Sequence, residues 1–160
     1  MRDFATMINI QNKAQCCGCN VCGDVCSKKA IQFVTDDEGF WYPRVDGEKC
    51  VDCGLCEKAC PMLKRPDSPT DTFKEPDCYA AEHKSVEVVF ASTTGGMFSA
   101  LAYVMYARHG YVGGAVHNED FTVSQFISKD KADLQRLRRS KDLQSNAEGF
   151  YRQVRTLLET

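Results

Sequence analysis

Two kinds of hydrophobic patterning divide the chain. In the first third, Ala30-Ile31-Gln32-Phe33 and Trp41-Tyr42-Pro43-Arg44-Val45 flank Asp36-Asp37-Glu38-Gly39. Two short apolar runs around an acidic, glycine-containing turn predict a β-hairpin. Residues 64–76, with Pro66, Pro69 and Pro76 among polar side chains, interrupt the pattern and predict a linker. Beyond it, residues 78–83 read as a strand. Met97, Leu101, Val104, Met105 and Arg108 recur at helical spacing, which predicts an amphipathic helix over 96–109 ended by Gly110. Residues 111–116 read as a strand, 118–120 as a turn, and 122–127 alternate as an antiparallel partner would. Ser128 is expected to cap a helix over 131–137, and a last helix is expected over about 147–158. The pattern describes an α+β chain.

Composition narrows the class. Hydrophobic residues make up 43% of the 160 positions and charged residues 26%, which suits a globular chain. Twenty basic against 22 acidic side chains give a net charge of −2, so neither a nucleic-acid partner nor a polybasic membrane anchor is expected. The N-terminus lacks the apolar core of a signal peptide, and the apolar stretch near 96–107 is shorter than the ~20 residues of a membrane helix. The expectation is a cytoplasmic protein without a transmembrane segment.

Cysteine changes the picture most. Nine of the ten cysteines lie between Cys16 and Cys60. Cys16, Cys19, Cys22 and Cys26 follow C-x2-C-x2-C-x3-C. Cys50, Cys53, Cys56 and Cys60 repeat it 34 positions later, followed by Pro61. Three thiolates at this spacing wrap a loop around one face of an iron–sulfur cube. The fourth, expected in the first turn of a helix pointing away, ligates the other cluster. This reading assigns Cys16, Cys19, Cys22 and Cys60 to one [4Fe-4S] cluster, and Cys50, Cys53, Cys56 and Cys26 to a second. Gly18 and Gly54 are expected where backbone approaches the inorganic core. The fold class expected is a bacterial two-cluster ferredoxin-type module over 10–66, followed by a small α+β domain over 77–160. The competing chemistry is zinc, but zinc ribbons use separated CxxC pairs rather than two runs of four. Cys17 is out of register and reads as a bystander. Cys78 reads as a buried free thiol. Ser27 follows Cys26 where such runs usually have proline.

The second half offers weaker signals. Ser92-Thr93-Thr94-Gly95-Gly96 precedes a helix and suits either an anion cradle or an ordinary N-cap and entry loop. Arg136, Arg138, Arg139 and Lys141 form a basic cluster that suits either an anionic cofactor or a helix C-terminus. His83, His109 and His117 sit at no recognisable ligand spacing.

Three further stretches carry a resemblance: Cys78-Tyr79-Ala80-Ala81, the run from Ser92 to Ala102, and Leu137-Arg138-Arg139-Ser140-Lys141-Asp142-Leu143-Gln144-Ser145. With the cysteine runs, they resemble the coenzyme F420 hydrogenase/dehydrogenase beta-subunit family in the form with a fused two-cluster module. The resemblance implies a flavoprotein passing electrons between clusters, FAD and a deazaflavin coenzyme. It implies a cofactor-facing wall at Thr93, Thr94, Gly95, Gly96, Ser140, Lys141 and Gln144. Arg139 stands where that family usually has glycine. The family continues beyond the counterpart of the last helix, so the resemblance also implies that these residues are the N-terminal, truncated portion of such a subunit. The expected partner is a redox protein or a flavin-bearing domain. The alternative is a stand-alone electron carrier with a docking domain.

Overall fold

A computed structural model describes residues 8–10, 13–63 and 77–159. The expected linker at 64–76 lies outside the described residues. The described residues form two compact units: 8–63 together with 146–159, and 77–145.

In the first unit, α1 (Val21–Val25) and α2 (Leu55–Ala59) occupy matching places in the 34-residue repeat. Each has five residues, too few to persist alone, so packing must hold them. Between them, β1 (Ile31–Thr35) and β2 (Trp41–Val45) pair antiparallel, Ile31 opposite Val45 and Thr35 opposite Trp41. The hairpin is the one the sequence predicts. Ile8 and the thiols of Cys22 and Cys60 are buried together, with Ile31, Phe33, Val45 and Met62 packed against them.

Asp36 organises the hairpin turn. Its carboxylate accepts from the Glu38 and Phe40 amides, each at 3.0 Å, and pairs with Lys13. The Lys13 hydrogen bond, aided by those two amides, holds the Asp36 carboxyl below its ordinary range. A depressed folded value means the contribution is complete above the ordinary aspartate pKa of about 3.9 and is lost as pH falls through the folded value. The Glu38 and Phe40 amides are therefore expected to lose exchange protection below that range, and in Asp36→Asn to be less protected at neutral pH with a flattened acid dependence. Equal protection of wild type and variant at neutral pH would remove Asp36 from the turn.

The second unit contains α3 (Val86–Phe90), α4 (Met97–Ala107), the antiparallel pair β3 (Val112–His117) and β4 (Val123–Ser128), and α5 (Leu134–Leu137) after a short 3₁₀ turn. Its core gathers Ala102, Val112, Val116, Leu134 and Leu137, with Tyr103, Tyr106 and Phe126 against them. The architecture is α+β.

Four expectations change here. Residues 78–83 are not a strand: they pair with no strand of the described residues, and the His83 amide donates instead to the Gly95 carbonyl at 2.6 Å. Cys78 is exposed, not buried. The cap at 131 is Asp130, which accepts from the Ala132 amide at 2.8 Å, while Ser128 accepts from Asp130. Most instructive is α4. Its inward stripe is the buried Ser99 and Ala102 with the partly buried Tyr103 and Tyr106, and Met97, Leu101, Val104 and Met105 stay exposed. The helical period is right, but the core takes the face of small and aromatic side chains. Ser99 and Tyr103 accept from the Arg138 guanidinium at 2.9 and 3.0 Å, which fixes that face inward.

The last helix, α6 (Phe150–Leu158), lies in the first unit, against α1. No side chain of its own caps it. The Asp24 carboxylate on α1 does so instead, accepting from the Gly149 amide at 2.7 Å and the Tyr151 amide at 2.9 Å. Asn20 accepts from the Ala147 amide at 3.3 Å.

Candidate metal centre

The cysteine loops owe their shape to paired left-handed residues. Gly18 (φ 65) and Asn20 (φ 63) bracket Cys19; Asp52 (φ 52) and Gly54 (φ 68) bracket Cys53. These positions correspond 34 residues apart. The two copies therefore adopt one backbone conformation while exchanging which site holds glycine. Asparagine and aspartate tolerate this region better than other non-glycine residues, which explains the exchange. Reading glycine alone finds half of the pattern; superimposing the repeat finds the rest.

Cys22 and Cys56 lie in the first turns of α1 and α2. Cys26 and Cys60 are C-caps of the same helices, their amides donating to Gly23 and Glu57, each at 3.2 Å. The fourth cysteine thus follows the helix rather than entering it, which corrects the expected first-turn placement.

Cys16, Cys19, Cys22 and Cys60 line one cavity, with Ile8, Phe33 and Met62 among its walls. Cys26, Cys50, Cys53 and Cys56 line a second, walled by Ala30, Ile31, Val45 and Leu55. The eight in-register cysteines thus line the two cavities four and four. Cys17 borders the first cavity but is exposed. Among the described residues, no three His, Cys, Asp or Glu side chains gather closely enough to hold a single ion. The thiols are instead distributed around each cavity's wall.

Backbone amides face these sulfurs. Ile8 donates to Cys56 Sγ at 3.4 Å, Ala30 to Cys26 Sγ at 3.3 Å and Asp52 to Cys50 Sγ at 3.4 Å. Burial raises the Cys16, Cys19 and Cys56 thiols, opposed by amides of Gly18, Val21 and Ile8. Cys22 is pushed up to about 12, burial first, with the neighbouring Cys19 thiol adding to it. Metal binding to such a thiol would release its proton. Thiol donors, apolar walls and amides aimed at sulfur fit iron–sulfur clusters, whose potentials respond to such hydrogen bonds and to burial.

The residues assigned to a cofactor wall lie in the second unit and have local partners. Thr93, Thr94 and Ser140 are exposed. A Cβ on Gly95 would stand 2.6 Å from the Ala81 carbonyl, and one on Gly96 would stand 3.0 Å from His83 Cβ. Close backbone packing accounts for both glycines, and Gly96 is the left-handed N-cap of α4. Lys141 Nζ donates to the carbonyls of Arg136, Leu137, Arg138 and Arg139 at 2.6–3.3 Å, closing the C-terminus of α5. Arg139 has φ 68, so the position the resemblance gives to glycine keeps a glycine-like backbone. Gln144 is partly buried. Arg138, bound to Ser99, and Arg139, whose Nε donates to the Ala91 carbonyl at 3.4 Å, bring the 91–99 and 138–141 segments side by side.

The 4Fe-4S dicluster domain family matches residues 15–63. The chain is similar to NADH-quinone oxidoreductase subunit I of Pelobacter propionicus, 35% identical over 57 residues, covering 31% of each protein. It is also similar to an uncharacterised ferredoxin of Methanocaldococcus jannaschii, 36% identical over 52 residues, 32% of this chain and 66% of the ferredoxin. The chain thus spans less than two thirds of the length of either relative. These likenesses support 4Fe-4S binding and a ferredoxin-like electron-transfer role for the N-terminal region. Among the described residues, no helix is long and apolar enough to cross a membrane.

Proposed function

We propose that the chain relays single electrons through two [4Fe-4S] clusters, one held by Cys16, Cys19, Cys22 and Cys60 and the other by Cys26, Cys50, Cys53 and Cys56. One observation carries the reading: the eight in-register thiols divide four and four between two cavities built on one repeat. Each cluster, when bound, supplies a one-electron couple. The chain's own residues provide the thiolates, the amides facing them, and the apolar side chains that keep water away. Because Cys26 and Cys60 each cross to the other copy's cavity, ligation also clamps α1 to α2.

Iron and acid-labile sulfide, measured on anaerobically prepared protein, test this. About eight irons per chain are expected, falling to about four in Cys53→Ser. Zinc in place of iron, or about four irons in the unsubstituted chain, would overturn it.

The finer reading is that this relay serves a flavin-dependent oxidoreductase of the deazaflavin hydrogenase/dehydrogenase beta-subunit type. It rests on the 92–102 and 137–145 segments, which the two arginines hold adjacent. The similarities to known proteins concern the cysteine module and leave flavin unaddressed. Stoichiometric flavin released by acid after incubation with FAD would support the flavoenzyme reading. Its absence would favour the stand-alone carrier.

A further inference from the structure

The repeat diverges in charge at one position. Asp24 on α1 corresponds to Lys58 on α2. Asp24 is buried and binds the amides that begin α6. Lys58 is exposed and stands at the rim of a groove that α6 forms with α1 and α2. The groove has a volume of about 540 Å³. Val25, Leu55 and Ala59 are its apolar lining, and Cys26, a thiol of the second cavity, also lines it. Its charged rim is Lys58, Arg152 and Arg155. Among the described residues, two carboxylates answer these cations. Asp24 is spent on the α6 amides and lies 3.7 Å from Arg152, and Glu159 takes the Nε edge of Arg155 at 2.8 Å. The accessible rim remains cationic on a chain whose net charge is −2.

An apolar centre within a rim of one sign is how transient protein interfaces combine burial with steering. We infer that this groove is the docking surface for an acidic, apolar-centred segment of a redox partner protein, seated beside the Cys26 end of the second cavity. The inference deepens the relay reading and rests on it for the partner's redox character. The surface itself is read from charge and shape.

The test uses the full, iron-loaded chain and a fluorescent probe peptide of glutamates flanking two leucines, followed by anisotropy at low and high salt. The unsubstituted chain is expected to bind more tightly at low salt, and Lys58→Glu with Arg155→Glu to weaken binding about tenfold. Lys58→Gln with Arg155→Gln should fall between them, a check that does not depend on the reversed charges being tolerated. A lysine-flanked probe should show the opposite order. Equal affinity of all three proteins for the glutamate probe, or no dependence on salt, would overturn the assignment. Iron measured in the same samples separates the two ideas. Protein that takes up no iron on anaerobic loading yet binds in this order sinks the relay and spares the groove, and iron-replete protein that does not discriminate sinks the groove alone.

Discussion

Asp24→Ala is expected to release the C-terminal helix from the cysteine module at a cost of about 3 kcal/mol. The side chain is 2% exposed and accepts from two backbone amides that have no intrahelical partner. Hydrogen bonds to an ionised acceptor are worth ~1.5–3 kcal/mol each, and removal leaves the donors unsatisfied. The Arg152 contact at 3.7 Å adds little, since that side chain is 48% exposed. The dipole of α6 adds a smaller increment in the same direction, a carboxylate at a helix N-terminus being favourable. Asp24→Asn keeps an acceptor but loses the charge and one oxygen, so about half of the effect should remain. Amide exchange over 149–155, with thermal unfolding of the iron-loaded protein, measures both. Unchanged protection in Asp24→Ala would mean that α6 is held by its apolar face and not by this carboxylate.

That anchor marks the limit of what the sequence discloses. The cysteine register is a local code, so the repeat was legible from spacing, and the hairpin from the two apolar runs around its acidic turn. The matching left-handed positions were legible too, once Asn20 is aligned with Gly54 and Asp52 with Gly18. Asp24 carries no comparable signal: it is one acidic residue on a five-residue helix, and its partners lie at Gly149 and Tyr151. Only tertiary structure joins them, and the sequence accordingly leaves α6 with the second half. In α4 the period was legible but the choice of face was not. Apolar spacing marks Met97, Leu101, Val104 and Met105, while the small sheet accepts Ala102 and Tyr106, and the pairing of Arg138 with Ser99 decides the rotation. The basic cluster splits by role, with Lys141 closing α5 and Arg138 bracing α4. Both are structural uses of side chains that spacing alone leaves open to an anion.

Removal of iron is expected to unfold the first unit and leave the second folded. Among its described residues the first unit buries few apolar side chains, chiefly Ile8, Ala30 and Ala147, while the thiols of Cys22 and Cys60 belong to its cluster of buried residues. A domain of this size with so little core needs a staple, and under the proposed relay ligation would supply one by tying α1 to α2 through Cys26 and Cys60. By comparison with structural zinc sites, the contribution is on the order of 10 kcal/mol, more than such a core can replace. The second unit keeps its own core around Val112, Val116 and Leu137 and needs no metal to close it. Hydrogen exchange on iron-loaded and chelator-treated protein separates these outcomes. Protection should vanish over 13–63 and persist in β3 and β4. The decisive segment is 150–158. It follows the 77–145 unit in sequence but is capped by Asp24, so it should lose protection together with α1. Should it instead stay protected after the iron is gone, α6 would not depend on the module, and the anchoring role of Asp24 would fall with the metal dependence.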